Sequence, residues 1–469
     1  MSTKADDLVI LGGGAAAFAA ATEADRRGLR TAMVNDGLPM GGTCVNAGCM
    51  PTKHLLAVAK GLRHGAHPPF GSTAPVPAGF DFARAISDKD ALVERLRRSI
   101  CRDVLGSFRN VRWIKGHGLL ADGHTVVVGD RRLTGAKLLL ATGSTTRIPP
   151  VPGLEEGGYL TNVEALSLPG LPASLLVLGG GPQGLEFAQM LARMGTQVTV
   201  VESAGRILEA FEPEVSAALQ GYLEAEGIEI LTGTRAVRAR QTADGRALDV
   251  ETRQGQRTLS AEEILVATGV RGNIGGMGLE AAGVATHGSS FVQVDEFLRT
   301  SVPHIYAAGD VTGRMGLETV AAKQGKIAVE NAFGTEPKAI DLLTVPAAVF
   351  TDPEVASVGM TEARLVKERG ACDCRTVNLE KSARAVAVGD TRGLVKLVAE
   401  PGTGKIAGVH IVAPVAAEMI HEGVLAVKLG LTVDDLIDTV HVFPTYTEAV
   451  KLAAQAFRRD ISAMSCCVE

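Results

Sequence analysis

The sequence predicts an α/β chain in which two Rossmann-like domains precede a C-terminal α+β domain. Three observations carry this prediction. An apolar run at 8–11 leads into Gly12-Gly13-Gly14 and an Ala-rich helical stretch. The same succession of strand, glycine turn and helix returns at 175–194, with Gly179-Gly180-Gly181 at the turn. From about residue 342 onward, strands and helices alternate without such a turn.

The elements follow in order. The first helix is expected to end near Arg27, and 29–34 reads as the next strand, which completes a βαβ unit. The second unit has a strand at 175–178, a helix to about Met194 and a strand at 197–201. Each unit is followed by an apolar strand ending in Ala-Thr-Gly, at 141–143 and at 267–269. A further strand runs into Gly309-Asp310. In the last segment, strands are expected at 347–350, 394–399 and 408–412, and helices at 415–429, 433–440 and 447–458. The absence of a nucleotide fingerprint there marks a separate α+β domain. The Pro/Gly-rich stretch 64–80 reads as a loop. Domain boundaries follow: 1–145 and 272–341 are two parts of one domain, 146–271 a second, and 342–469 a third.

Bulk properties narrow the function. The 469 residues allow about three domains. A composition 46% hydrophobic and 21% charged is that of a globular protein with a large core. The net charge of −5 gives no electrostatic case for binding nucleic acid. No apolar run is long enough to span a bilayer, and the first residues lack a signal-peptide core, so a cytoplasmic location is expected. In a reducing compartment the seven cysteines point to catalysis or metal binding before structural bridging.

The glycine turns have a specific job. In G-x-G-x-x-G/A the first glycine makes the turn, the second admits a pyrophosphate, and the third packs helix on strand. The helix N-terminus then stabilises the anion. The first copy is Gly12, Gly14 and Ala17; the second is Gly179, Gly181 and Gly184. Two copies, each between strand and helix, indicate two different dinucleotides. An acid about 20 residues on binds ribose hydroxyls. Glu202 fits that role in the second unit, and its charge disfavours a 2′-phosphate, which favours NADH over NADPH. In the first unit Asn35 takes the place, with Asp36 next to it as a substitute.

Between these units lies Gly41-Gly42-Thr43-Cys44-Val45-Asn46-Ala47-Gly48-Cys49-Met50-Pro51-Thr52-Lys53. Its two cysteines follow a dinucleotide fingerprint by about 30 residues. A dithiol that close to a bound cofactor can exchange electrons with it, so the pair is a candidate redox centre.

These residues resemble the pyridine nucleotide–disulfide oxidoreductases. The matches are Gly12 and Gly14, Cys44 and Cys49 with Pro51 and Lys53, both Ala-Thr-Gly strands, Gly179, Gly181 and Gly184 with Glu186, and Gly309-Asp310. They cover essentially the whole chain in order. The resemblance implies FAD in the first unit, with Thr43, Thr142, Gly143 and Asp310 among its contacts. It implies NADPH or NADH in the second unit, with Gly269 nearby, and a C-terminal dimerisation domain that makes a homodimer. It also places Lys53 near the flavin, paired with Glu186, and Cys49 as the sulfur nearer the flavin, held as thiolate by the cofactor and nearby positive charge.

Two departures refine the resemblance. Members that reduce disulfides end in a His-Pro-Thr motif followed by Glu, whose imidazole protonates a leaving thiolate. Here the segment is His441-Val442-Phe443-Pro444-Thr445-Tyr446-Thr447-Glu448. A phenyl ring at Phe443 carries no proton. His441, two residues away on a strand-like segment, either shares that face or is an ordinary surface or interface residue. The second departure is the tail pair Cys466-Cys467. Vicinal thiols at a chain end suit a soft metal ion. With both features the chain resembles the mercuric reductase branch of the family, in a core form that starts at the FAD strand without an N-terminal metal-binding domain. That resemblance implies that Cys466 and Cys467 take Hg(II) from small thiols and hand it to Cys44 and Cys49, where electrons from NAD(P)H reduce it to Hg(0).

Other readings stay open. A dihydrolipoamide dehydrogenase-like disulfide reductase is favoured by Glu202 and Glu448 and opposed by Phe443 and Cys466-Cys467. A flavoprotein that sequesters soft ions without turnover leaves a nicotinamide site without use. Cys372-Asp373-Cys374 is either a metal-binding dithiol or a coincidence of a loop or edge strand. Cys101 reads as buried and inert, Tyr446 as either a metal contact or a packed interface residue, and Arg384 with 390–393 as shaping the interface domain.

Overall fold

A computed structural model describes residues 5–70, 79–288 and 290–461. Its contacts divide the chain into two compact units. The first comprises the N-terminal segment to His54, Ile86–Arg147 and Gly269–Leu342. The second comprises Leu55–Ala85, Ile148–Thr268 and Leu343–Glu469.

In the first unit, β1 (Asp6–Leu11), α1 (Ala15–Arg26) and β2 (Thr31–Asn35) form the expected βαβ hand. Short helices α2 (Gly42–Asn46) and the start of α3 (Cys49–Ala66) follow. β3 (Val111–Lys115), β4 (Leu119–Leu120), β5 (Thr125–Val128) and β6 (Arg131–Leu140) complete the labelled strands. The sheet runs β3-β2-β1-β6-β5-β4, and the strand Ile305–Ala307 also pairs with β6. β1 lies parallel to both β2 and β6, so this is a doubly wound core with an antiparallel edge. Its two faces are read directly from the sequence. Val9 and Leu11 enter one apolar cluster, and Leu8 and Ile10 enter the other, as the two-residue period of a strand demands. On one face α1 packs its alanines against the helix Glu318–Phe333. The approach is close: a Cβ on Gly325 would lie 2.0 Å from the carbonyl of Ala16.

The second unit holds a parallel sheet, a three-stranded antiparallel sheet over 235–261 and a five-stranded antiparallel one. β7 (Ser174–Leu178), α4 (Pro182–Met194), β8 (Gln197–Val201), β9 (Glu229–Leu231) and β10 (Glu263–Val266) give the strand order β9-β8-β7-β10. Every pairing in it is parallel. The last segment forms β11 (Ala347–Val349), β12 (Glu354–Gly359), α5 (Glu362–Arg369), β13 (Asp373–Asn378), β14 (Leu394–Ala399) and β15 (Ile406–Ala413). This antiparallel sheet runs β11-β12-β15-β14-β13, with β13 at its edge. Helices α6 (Ala416–Leu429), α7 (Val433–Asp438) and α8 (Glu448–Gln455) accompany it.

Several expected boundaries shift. The strand expected at 29–34 starts at Thr31, because Gly28 turns left-handed and the N–H of Leu29 still bonds back to Ala24. α3 continues to Ala66, into the stretch read as loop; residues 71–78 lie outside the described residues. α7 ends at Asp438, and no strand forms over 441–446. His441 and Phe443 therefore do not share a strand face.

Candidate functional site

The first glycine turn is built to receive a ligand. A Cβ on Gly12 would sit 2.0 Å from the carbonyl of Ala141, so this position admits only glycine. Gly14 is different: a Cβ there would meet only the Gly42 Cα at 3.7 Å, and the backbone is open. Gly14 caps α1 without a side-chain hydrogen bond, so the first N–H groups of the helix keep their capacity for an anion. Ala17 is fully buried one turn on.

A cleft of about 1010 Å³ opens beside this turn. Gly12, Gly14, Asn35, Asp36, Thr43, Thr142 and Gly143 all line it. The size and the glycine cradle fit FAD, an extended dinucleotide. Asn35 donates from Nδ2 to the carbonyl of Leu38. Asp36 holds Nδ1 of His117 at 2.8 Å, and the second ring nitrogen meets the carbonyl of Gly276. Those two contacts, the backbone one first, raise the pKa of His117. Thr142 and Asn273 exchange hydrogen bonds, Thr142 Oγ1 to the Asn273 carbonyl and Asn273 Nδ2 back to the Thr142 carbonyl. Asp310 accepts from Ser144 Oγ at 2.9 Å. Sequence reasoning missed His117, Ser144 and Asn273, which the folding of distant segments brings to the same wall. Their only sequence signal is polar character within one or two residues of a glycine turn.

The cysteine pair follows immediately. Gly41 adopts a left-handed conformation at φ 99° and starts α2, which carries Cys44. A Cβ on Gly42 would lie 2.7 Å from the Cα of Gly14, so this turn packs directly against the first. Cys49 opens α3, where the helix dipole favours negative charge. Both thiols are unbridged and partly buried. They share a hydrogen bond, and it divides them. That bond, then burial, pushes Cys44 far above the usual thiol range. The same bond lowers the pKa of Cys49, against burial and with help from the Lys53 ammonium. The pair is therefore unequal, with Cys49 the more acidic thiol. The resemblance credits cofactor and positive charge for this; in the structure the neighbouring thiol contributes more than Lys53. Glu318, at the start of its helix, raises both pKa values and was not foreseen. Cys101 is 3% exposed, and a Cβ on Gly41 would lie 2.9 Å from its sulfur. It is a packed neighbour of the turn, as expected.

In the second unit the glycine turn is tighter. Cβ atoms on Gly179 and Gly184 would meet the carbonyls of Ala267 at 2.4 Å and Gly179 at 2.1 Å. Gly181 has open space around it and caps α4 without a side-chain bond, followed by Pro182. This cradle fits a second dinucleotide. Glu202 follows β8, and its two oxygens accept the N–H groups of Gly180 and Ala204, each at 2.6 Å. Its carboxylate is thus fixed beside the turn. Glu186, buried on α4, accepts the N–H of Phe350 at 2.9 Å. Gly269, left-handed at φ 97°, lies with the first unit, where its carbonyl accepts the N–H of Arg147.

Near the C-terminus, Phe443 is exposed and His441 is engaged elsewhere. His441 pairs with Glu422 at 2.9 Å and with the carbonyl of Thr439. The Glu422 bond raises its pKa. Tyr446 packs against the sheet core and donates to the carbonyl of Asp390. The structure joins Cys372 and Cys374 as a disulfide, with Cys372 ahead of β13, in place of two thiols on a strand. Cys466 and Cys467 lie outside the described residues. No helix among the described residues is long and apolar enough to cross a membrane.

Comparison with known proteins agrees in length and fold. The pyridine nucleotide-disulphide oxidoreductase family model matches residues 6–325, and the family's dimerisation domain matches 345–454. The chain is 42% identical to the mercuric reductase of Streptomyces lividans, over 98% of each protein. It is 38% identical to the mercuric reductase of Lysinibacillus sphaericus, over 98% of this chain and 84% of that one. The HOCl-induced flavoprotein disulfide reductase RclA from Escherichia coli, solved as a Cu(II) complex, superposes with a TM-score of 0.85 at 27% identity, covering 97% of this chain and all of that one.

Proposed function

The chain belongs to the pyridine nucleotide-disulphide oxidoreductase family, among the mercuric reductases, as an NAD(P)H-dependent flavoenzyme, and from that premise we propose that it reduces Hg(II) to Hg(0) at Cys44 and Cys49. The observation that carries the proposal is an unbridged, hydrogen-bonded pair of thiols, with Cys49, the more acidic of the two, at the start of α3 beside the charge of Lys53. FAD bound in the first glycine cleft would supply two-electron transfer between the nicotinamide nucleotide and this pair.

The chain's own groups do the rest. Cys49, the more acidic thiol, attacks as its thiolate Hg(II) held by two thiolates, and one of those leaves. Cys44 passes its proton to the departing small thiolate as its sulfur replaces the second. Lys53 balances the charge that builds up on the two sulfurs, and Glu318 opposes it. The overall reaction, Hg(II) + NAD(P)H → Hg(0) + NAD(P)⁺ + H⁺, moves two electrons and breaks no S–S bond. No leaving thiolate needs a proton at the reduction step, which is compatible with a phenyl ring at Phe443. The tail pair Cys466 and Cys467 delivers the ion to the inner pair, within a homodimer. The fixed carboxylate of Glu202 repels a 2′-phosphate, so NADH is the preferred donor.

The test is a paired assay of purified protein with lipoamide or with Hg(II) in excess small thiol. Oxidation of NADH that depends on Hg(II) and is slow with lipoamide supports the proposal; the reverse order identifies a disulfide reductase. A kcat/KM higher for NADPH than for NADH overturns the role given to Glu202.

A further inference from the structure

Among the described residues, one group of His, Cys, Asp or Glu side chains is placed to hold a metal ion: Glu362, Cys372 and Cys374, with one ligand atom of each lying within 4.8 Å of the others. The chain builds this group locally. Thr361 caps α5 by accepting the N–H of Arg364, which fixes Glu362 in the first turn. Gly370, left-handed at φ 84°, ends α5 and returns the chain toward β13. Cys372 and Cys374 then flank Asp373 at the start of an edge strand, both partly exposed.

The surroundings favour a cation. Glu362 shares Lys396 with Glu212 and Glu214, at N–O distances of 2.7, 3.0 and 2.8 Å. Three carboxylates against one ammonium leave a surplus of negative charge beside the sulfurs. Burial pushes down the pKa of His410, which faces Glu212. Arg375, the guanidinium on β13, is tied to Asp373, to the carbonyls of Cys374 and Ala456, and to the ring of Phe457. Two thiolates in this field need a divalent ion to be stable. The Cα atoms lie 6.0 Å apart. Two sulfurs each about 2.3 Å from one soft ion span at most about 4.6 Å, which that backbone separation admits. Glu362 offers an oxygen as a weak third ligand.

We propose that Cys372, Cys374 and Glu362 form an accessory site for a soft divalent cation, opened and closed by its own disulfide. The inference rests on the proposed function only for the identity of the ion, Hg(II). Two molecules of a small thiol open the site: they become one disulfide, and the Cys372–Cys374 bond becomes two thiols. Hg(II) carried by two small thiolates then exchanges onto the pair. Two protein S–Hg bonds form, two small-thiol S–Hg bonds break, and the two cysteine protons leave on the released thiols. Mercury keeps its oxidation state, so the site holds the ion and does not reduce it. A small disulfide closes the empty site by the reverse exchange: the Cys372–Cys374 bond forms and the small disulfide becomes two thiols.

The test uses the full chain with flavin bound, carrying C44S, C49S, C466S and C467S so that turnover plays no part. The protein is reduced, freed of reductant without oxygen, exposed to mercuric chloride with excess glutathione, desalted and analysed for mercury. About one mercury per chain is expected, falling close to zero when C372S and C374S are added or when the parent is first oxidised with diamide. Adding E362Q instead should leave binding but speed its loss to fresh glutathione by about threefold. Flavin content checks that each variant is folded. No mercury on the reduced parent, or equal mercury without the two cysteines, overturns the site. Mercury vapour from the unmodified chain is measured separately, so binding without vapour sinks the reductase reading alone, and vapour without binding sinks the accessory site alone.

Discussion

Two cysteine pairs in this chain show how surroundings decide what sulfur does. Cys44 sits within α2 and Cys49 at the start of α3, with Lys53 one turn beyond Cys49, and the two remain unbridged. Cys372 and Cys374 sit at an edge strand beside Glu362, which shares Lys396 with two further carboxylates, and are joined as a disulfide. Positive charge and a helix N-terminus stabilise a thiolate; a carboxylate cluster penalises it unless a bond or a metal relieves the charge. The first pair is suited to repeated electron transfer, the second to being held shut or filled.

The largest effect should come from C49S, which removes the ionised sulfur. Hg(II)-dependent nucleotide oxidation should fall by at least about 10³-fold while flavin stays bound. Activity within tenfold of the parent would mean that Cys49 is not the reacting sulfur.

A second experiment separates the pairs by reactivity. Iodoacetamide should modify Cys49 in the untreated protein about 100-fold faster than Cys372 or Cys374, which become reactive only after reduction. The pH dependence has a definite sign. Because the pKa of Cys49 is lowered, its thiolate persists below the pH at which an ordinary thiol is protonated, and alkylation slows only as pH falls through the lowered value. Rates that rise steadily up to about pH 8.5 would show an ordinary thiol.

Two charge changes then sharpen the account. K53M should raise the pKa of Cys49 by about one, cutting thiolate about tenfold at pH values below it. E318Q should act in the opposite sense and more weakly, about twofold, because Glu318 is a minor opponent of ionisation at both sulfurs. Equal and same-signed effects would show that neither residue acts through charge.

Much of this was legible in the sequence because the signals were local. Gly12, Gly179 and Gly184 are required where a Cβ would collide with a backbone carbonyl, so the fingerprint is a steric statement that survives any context. The two faces of β1 follow from alternation alone. Cys44 and Cys49 were recognisable by spacing and by the glycines before them. What the sequence hid is long-range. Glu318 acts on the thiols from a helix far along the chain, and His117 meets Asp36 across 81 residues. No window of sequence contains both partners. The segment 441–446 failed for a related reason: it reads as strand-like, but a strand needs a partner, and among the described residues none of the sheets pairs with it. The disulfide between Cys372 and Cys374 was not foreseen either, since a two-residue spacing fits equally a bridge, a metal site and chance.

The most direct test of the central claim is to collect mercury vapour from the purified protein supplied with NADH and Hg(II) in excess glutathione, without oxygen. One Hg(0) released per NADH oxidised, lost in C49S and much reduced when the last four residues are removed, is the predicted result. NADH oxidation without mercury vapour, or mercury taken up once per chain and never released, would contradict it.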